Sequence, residues 1–495
     1  METYYNHING EWCESKTGEQ FENRNPADWN EIVGTFPKSD KRDVDAAVKA
    51  ACGAFNEWRL MPAPKRGEII KKAGDLLTER KEELARLMTR EMGKVLTETR
   101  GDVQEGIDTA YYAASEGRRL FSHTAPSELP NKMNMSFRMP VGVAGIITPW
   151  NFPMAIPTWK IFPALVCGNT VVFKPASDTP ATAAELVKIL LEAGVPPRVI
   201  NIVHGTGSAV GIPIVEHPDI NIISFTGSSA VGKVIAEKAG RQLKRVSLEL
   251  GGKNAQIVMD DADLDLALEG VIWGAFGTTG QRCTATSRLI LHHAIYDTFL
   301  DMLAARTQKL VMGSGLDPDV HVGPLVNAGQ RDIVEHYVEI GKKEGARLVC
   351  GGERETSARC ANGFFYKPTV FAEVTPSMTI AREEIFGPVL SVLKAVSVEE
   401  AIAILNNTVY GLSSSIYTRN VNNAFKAVRD IEAGITYING PTIGAECHMP
   451  FGGVKETGNG HREGGWSVYE FFSEIKTVYV DFSGKLQRAQ IDNQG

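Results

Sequence analysis

Between about residues 141 and 260, short runs of β-branched and apolar residues alternate with longer segments of helical periodicity. Val141–Ile147, Thr170–Phe173, Val199–Val203 and Ile220–Phe225 are four such runs, separated by helical stretches such as Ala181–Ala193. This alternation predicts an α/β domain around a parallel sheet. Upstream, Arg42–Trp58 and, with interruptions, Pro64–Gly117 read as charged-and-apolar helices covering one face of that sheet. From Asp263 onward a second α/β series begins, with strands expected at Ser287–Leu291 and Val389–Leu393. Residues 119–140, mixed and polar, interrupt the first series, and Lys476–Asp481 is a late strand-like run. Both are expected at an exposed sheet edge of the kind that another subunit closes.

Length and charge narrow the class. A chain of 495 residues, 43% hydrophobic and 22% charged, is globular and too long for one core, so two or three domains are expected. The net charge of -7, with lysines and arginines dispersed among acids, excludes a nucleic-acid partner. No apolar run reaches the roughly 18 residues of a membrane span and no signal segment opens the chain, so a cytoplasmic protein without membrane contact is predicted. Seven cysteines (Cys13, Cys52, Cys167, Cys283, Cys350, Cys360 and Cys447) contain no C-x-x-C pair, which fits neither a disulfide framework nor a metal site.

Three glycine patterns compete for a nucleotide site. Gly205-Thr-Gly-Ser-Ala-Val-Gly211 is one residue too long for a dinucleotide fingerprint and reads as a plain turn. Gly227-Ser-Ser-Ala-Val-Gly-Lys233 imitates a P-loop, but Val234 stands where a magnesium-binding hydroxyl is needed, which argues against an NTPase. What remains is simpler: Gly227 and Ser228 set backbone N–H groups and a hydroxyl at a helix N-terminus, suited to a cofactor pyrophosphate. Lys174 lies just past a strand, where open α/β sheets bind ligands, although a solvated loop lysine gives the same pattern.

Three residues carry candidate chemistry. Cys283 lies in the small, polar stretch Gly277-Thr-Thr-Gly-Gln-Arg-Cys283, a poor home for a core cysteine, beside Arg282, which favours a thiolate if it turns the same way. A nucleophile and a surface thiol are both open readings. Alternation in Val246-Ser-Leu-Glu-Leu250 puts Glu249 opposite Val246, Leu248 and Leu250, at a strand end where a raised pKa would make it a general base; a solvated edge glutamate is the other reading. Asn151, in Pro149-Trp-Asn-Phe-Pro153, is either a rigidly held oxyanion donor or a turn residue.

Taken together, Pro149–Pro153, Lys174-Pro-Ala-Ser177, Phe225-Thr-Gly-Ser228, Leu248-Glu-Leu-Gly-Gly252, Gly280-Gln-Arg-Cys283, Glu383-Glu-Ile-Phe-Gly-Pro388 and Pro450-Phe-Gly-Gly-Val-Lys455 closely resemble the aldehyde dehydrogenase superfamily in order and spacing, over nearly the whole chain. The resemblance implies a Rossmann-like NAD(P)-binding domain (1–118 and 141–249), an α/β catalytic domain (250–466) and a small β arm (119–140 and 467–495) that assembles homodimers or homotetramers. It implies that Cys283 attacks the aldehyde, that Asn151 and the Cys283 N–H hold the oxyanion, and that water activated by Glu249 hydrolyses the thioester. Lys174 and Glu384 would bind the two riboses, Ser228 and Trp150 the pyrophosphate, and Phe386 would pack near the nicotinamide ribose. With Glu249 present, a free acid is the expected product rather than a coenzyme A ester.

One departure bears on the cofactor. NAD-selective members often carry Glu three residues after the lysine; here that position is Ser177, which tolerates a 2'-phosphate, so dual use or an NADP lean is expected. Arg282 and the loop Gly440–Met449 with Cys447 are expected to border the aldehyde's tail, where a guanidinium could grip a carboxylate bidentately. An arginine bonded to backbone carbonyls or to a helix end is the alternative. Residues around Glu105 resemble α-aminoadipic semialdehyde dehydrogenases, whose helix glutamate meets an amine; Ala155–Ile161 resembles 2-oxoglutarate semialdehyde dehydrogenases, and the sequence does not choose. Unsubstituted aliphatic or aromatic aldehydes are a further possibility, and a cysteine hydrolase or a non-catalytic binding descendant is the competing class.

Overall fold

The computed structural model describes residues 2–492, so Met1 and residues 493–495 of the two outermost expected segments lie outside the described residues. Among those described, two seven-stranded sheets carry the bulk of the chain. In the first, Arg245–Glu249, Ile222–Thr226, Val143–Ile147, Thr170–Lys174 and Ile200–Ile202 lie side by side in parallel, in that spatial order. An N-terminal hairpin, Asn6–Ile8 and Glu11–Cys13, extends this sheet antiparallel to Ile200–Ile202; its three-residue strands are too short for periodicity to show. The chain reverses its direction of travel across the sheet between Val143–Ile147 and Ile222–Thr226, a topological switch point that opens a crevice at the carboxyl ends of the strands. Trp150, Asn151, Gly227 and Ser228 all follow these two strands.

Side chains alternate between the two faces. Ala144 and Ile146 face the helices Ala63–Glu79, Lys81–Met92 and Leu96–Glu116, packing with Ile70, Leu77 and Val103. Val143 and Ile147 face the other way, onto Val44, Ala47 and Val48 of Lys41–Leu60. The upstream helices therefore cover both faces rather than the one expected, because the apolar stripes of the first helix and of the later ones serve opposite sides. Each such buried Val, Leu or Ile contributes roughly 1.5–3 kcal/mol.

The second sheet is ordered Arg347–Cys350, Thr369–Ala372, Val389–Ala395, Thr286–His292, Asn254–Val258, Ser413–Tyr417 and Ile435–Ile438, parallel except at its first pair. Outside both sheets, Ser473–Asp481 pairs antiparallel with Lys132–Pro140 over nine positions, with Thr124–Pro126 beyond. Within the segment expected to form the arm, Val468, Tyr469, Phe471 and Phe472 pack into the cluster beneath the first sheet, because this stretch folds into the short helix Val468–Phe471.

Candidate active site

Cys283 sits on a loop between the second sheet's strand Thr286–His292 and a tight turn at Gly277–Gly280. Asn254 Nδ2 donates to the Cys283 carbonyl at 2.7 Å and to that of Ala285 at 2.9 Å, fixing the loop. On the opposing wall, Glu249 ends its strand with a buried carboxylate, and neither oxygen has a hydrogen-bond partner among the described residues. Between them lies the glycine pair of Leu248–Gly252. A Cβ on Gly252 would come within 2.5 Å of the Cys283 carbonyl, and one on Gly251 would overlap the Glu384 carboxylate. Gly452, at φ 145, likewise leaves room for Glu249: a Cβ there would strike Glu249 Oε1. These glycines are spacers that let reactive groups approach.

Burial pushes the Cys283 thiol up to about 12, with the Glu249 and Glu384 carboxylates adding to it. Arg282, expected to favour the thiolate, points elsewhere. Its Nε donates to Thr278 Oγ1 (2.8 Å), its Nη2 to Glu98 Oε1 (3.1 Å), and its guanidinium lies over the rings of Phe152 and Trp273. Glu249 is itself raised well above the usual carboxylate range, by burial and then by the neighbouring Glu463 carboxylate, with Lys160 and Arg462 pulling the other way. The resting pair is therefore a protonated thiol beside a carboxyl of high proton affinity, as proton transfer during attack requires.

Lys160 and Glu463, which the sequence reading passed over, form a buried ion pair, and Lys160 also donates to Ser224 Oγ at 3.0 Å. The available signal was a lone lysine in the otherwise apolar helix Ala155–Cys167: a buried charge demands a partner. Asn151 is buried, and its Nδ2 donates to the Gln281 carbonyl (3.1 Å), two residues before Cys283, leaving its second amide hydrogen for another acceptor.

A cavity of about 430 Å³ opens over Cys283 and Glu249. Trp159 and Phe451 wall it near the thiol, their rings 4.8 Å apart, and Phe152 and Trp273 wall the part beside Arg282. Farther along, Glu98, Asp102 and Glu105 of the helix Leu96–Glu116 line the same wall as Arg282, which pairs with Glu98. Glu105 is pushed up to about 8 by burial and by Asp102, and its Oε1 has no partner among the described residues. Two expectations change here. With Nε and Nη2 already bonded, Arg282 cannot grip a carboxylate bidentately through them without displacing Glu98. And Cys447 does not line the cavity: its loop contributes Gly444 and Ala445 instead, while burial and the Asp108 and Glu105 carboxylates push the Cys447 thiol up to about 11.

The switch-point crevice holds the remaining candidates. Lys174 closes its strand, with Nζ donating to the Pro175 carbonyl (2.7 Å) and burial lowering its pKa to about 8. Ser177 Oγ donates to the Gly205 carbonyl at 3.1 Å. A Cβ on Gly211 would lie 3.6 Å from Lys174 Cδ, so the stretch Gly205–Gly211 runs beside Lys174. Nor is it a plain turn: Thr206 caps a π-turn at Gly207–Gly211 that runs into a short helix, Ile212–Glu216. Ser228 caps the helix Ser229–Gly240 through Val231 N–H, and the Gly227 N–H donates to the Glu249 carbonyl, tying the crevice to the base. Trp150 meets Phe386 edge to face at 5.3 Å. Phe386 is held at φ 57 by Gln330, whose Nε2 donates to the Ile385 and Phe386 carbonyls. Glu384 is pushed up to about 7 by burial and accepts from Gly252 N–H at 2.9 Å. Among the described residues no cluster of three or more His, Cys, Asp or Glu could hold a metal ion, and no helix is long and apolar enough to cross a membrane.

Comparison with known proteins agrees with this geometry. The chain is 46% identical to the alpha-ketoglutaric semialdehyde dehydrogenase of Bacillus subtilis (strain 168), over 97% of this chain and 98% of that one. It superposes on an NAD-dependent aldehyde dehydrogenase from Sinorhizobium meliloti with a TM-score of 0.95 at 38% identity, covering 99% of this chain and 96% of the other. It superposes equally well, at 0.95 and 33% identity, on betaine aldehyde dehydrogenase from Staphylococcus aureus in complex with NAD+, covering 98% and 95%. Residues 12–478 match the model of the aldehyde dehydrogenase family. A half-buried thiol facing an unpartnered carboxylate beside a switch-point crevice, together with a family match over nearly its whole length, makes this chain a member of the aldehyde dehydrogenase family.

Proposed function

We propose that the protein oxidises a short carboxylate-bearing semialdehyde of the 2-oxo acid type to its carboxylic acid, with NAD or NADP as hydride acceptor. Cys283 Sγ attacks the aldehyde carbon as its proton leaves toward Glu249. The free amide hydrogen of Asn151 and the Cys283 backbone N–H steady the developing oxyanion. The residues past the switch-point strands suit a nicotinamide dinucleotide: Lys174 and Glu384 offer ribose partners, Gly227 and Ser228 stand at the N-terminus of the helix Ser229–Gly240, and Trp150 and Phe386 lie edge to face. When bound, that cofactor takes up the hydride. Glu249, with both oxygens unpartnered, then draws a proton from water attacking the thioester, and the acid leaves. Ser177 presents no carboxylate to a 2'-phosphate, so both cofactors are used, with NADP favoured. The arm strand Ser473–Asp481, with Ile475 and Tyr479 exposed, joins copies of the chain into a homo-oligomer.

The observation carrying the substrate assignment is the polar end of an otherwise aromatic cavity, lined by Arg282 and by Glu105 with its unpartnered Oε1. At neutral pH Glu105, at about 8, is an acid that donates a hydrogen bond. A carboxylate or 2-oxo oxygen accepts a hydrogen bond from such a group. The B. subtilis relative's name, alpha-ketoglutaric semialdehyde dehydrogenase, supports the same choice. Initial rates with 2,5-dioxopentanoate, α-aminoadipic semialdehyde and hexanal, each with NAD and NADP, test it. The first substrate should lead in kcat/KM by at least about tenfold, the worth of one hydrogen bond to a charged group. Parity with hexanal, or activity confined to NAD, would overturn the corresponding half of the proposal.

A further inference from the structure

Immediately before Cys283 the backbone does something costly. Thr278 (φ 52, ψ 27), Thr279 (φ 58, ψ 33) and Gly280 (φ 68) are three consecutive left-handed residues, and two of them are β-branched. Left-handed backbone suits glycine, and β-branched side chains are strained there, so such a turn persists only where its surroundings hold it.

One side of the turn is fastened within its own domain. Thr279 Oγ1 donates to the Gly323 carbonyl (3.0 Å), Gln281 Nε2 to that of Pro324 (3.3 Å), and Val326 N–H to Gln281 Oε1 (3.0 Å). The other side is fastened from across the domain seam. Glu98, in the first turn of the helix Leu96–Glu116, accepts the Thr278 backbone N–H at 2.8 Å and Arg282 Nη2 at 3.1 Å, both on Oε1. Arg282 Nε returns to Thr278 Oγ1 at 2.8 Å, closing a ring of Glu98, Thr278 and Arg282 around the strained turn. The Glu98 and Arg282 side chains are each only 11% exposed, so water competes little for these bonds. A Cβ on Gly277 would sit 3.1 Å from Glu98 Oε1, so the chain is pressed against the carboxylate.

We propose that Glu98 is a positioning residue of the reaction: by clamping Thr278 and Arg282 it holds the left-handed turn that aims the Cys283 sulfur at the aldehyde. Without the clamp, Thr278 relaxes toward negative φ and the five residues to Cys283 follow a different path. The role is exercised through the nucleophile, so it rests on Cys283 being that nucleophile. It does not depend on which aldehyde is bound.

The test compares Glu98→Ala with the parent enzyme on 2,5-dioxopentanoate and on hexanal. Loss of aim predicts a fall in kcat of about 30- to 100-fold, equal for both aldehydes, with the dissociation constant for NAD within about twofold of the parent. A second variant separates strain from mere contact: in Glu98→Ala/Thr278→Gly the glycine adopts the left-handed turn unaided, and kcat should recover at least about fivefold over Glu98→Ala. Should Glu98→Ala not fold, Glu98→Gln serves; its amide oxygen can still accept from both donors but without the negative charge that strengthens those bonds, and kcat should fall about fivefold on both aldehydes. An unchanged kcat, a loss confined to the carboxylated aldehyde, or no recovery in the double variant overturns the proposal. Cys283→Ala, run alongside, checks the underlying assignment separately: if it retains dehydrogenase activity, the nucleophile rather than the clamp is wrong.

Discussion

Neutralising Glu249 should move two properties of Cys283 in opposite directions. At pH 8 a thiol at about 12 is ionised in roughly one molecule in ten thousand, whereas an ordinary cysteine at 9.0 is ionised in about one in ten. The cofactor-free enzyme should therefore alkylate slowly with iodoacetamide at Cys283, the rate climbing about tenfold per pH unit from 7 to 10 without a plateau. The ionised Glu249 carboxylate is, after burial, the largest cause of that raised value. In Glu249→Gln that charge is gone, so above the pH at which Glu249 itself ionises the thiolate fraction rises and alkylation quickens. Turnover does the reverse. With no base for the thiol proton or the hydrolytic water, kcat should fall by about 10²- to 10⁴-fold. Peptide mass spectrometry of Cys283 labelling across pH, beside absorbance at 340 nm, reads both. A labelling plateau below pH 9 in the parent, or a parallel fall of labelling and turnover in the variant, would refute the reasoning, since either means that the carboxylate activates the resting thiol instead of suppressing its ionisation.

Lys160→Met leaves Glu463 as a buried charge without its cation, and differential scanning calorimetry should show a loss of about 3–5 kcal/mol of stability. Gly251→Ala forces the Glu384 carboxylate back from its bond with Gly252 N–H. Loss of a hydrogen bond to a charged group, worth about 1.5–3 kcal/mol, should raise the dissociation constant for the nicotinamide cofactor at least about tenfold while Cys283 alkylation stays as in the parent. Ile475→Asp/Tyr479→Asp places charges on the exposed arm strand, and sedimentation should show smaller assemblies than the parent forms.

Much of this protein was legible from residue order alone. The short runs of β-branched and apolar residues at Val143–Ile147 and Ile222–Thr226 and the helical pattern of Pro180–Ala193 are local signals, and they appear within one or two residues of where the pattern put them. Glu249 at a strand end, opposite Leu248 and Leu250, followed from alternation, because a strand's faces are set by parity. Tertiary structure decided what no local pattern encodes. Which face a helix covers depends on where the chain crosses the sheet, so Lys41–Leu60 went to the side opposite its neighbours. Whether Arg282 is free to grip a carboxylate stayed open in the sequence because its partner Glu98, 184 residues earlier, is invisible from its own neighbourhood. The Lys160–Glu463 pair spans 303 residues, and the two carboxylates that help raise the Cys283 thiol, Glu249 and Glu384, stand far from it in the sequence. Backbone periodicity is a property of adjacent residues and survives in the sequence; proton affinity and the orientation of charged side chains are set by burial and through-space neighbours, which exist only once the chain has folded.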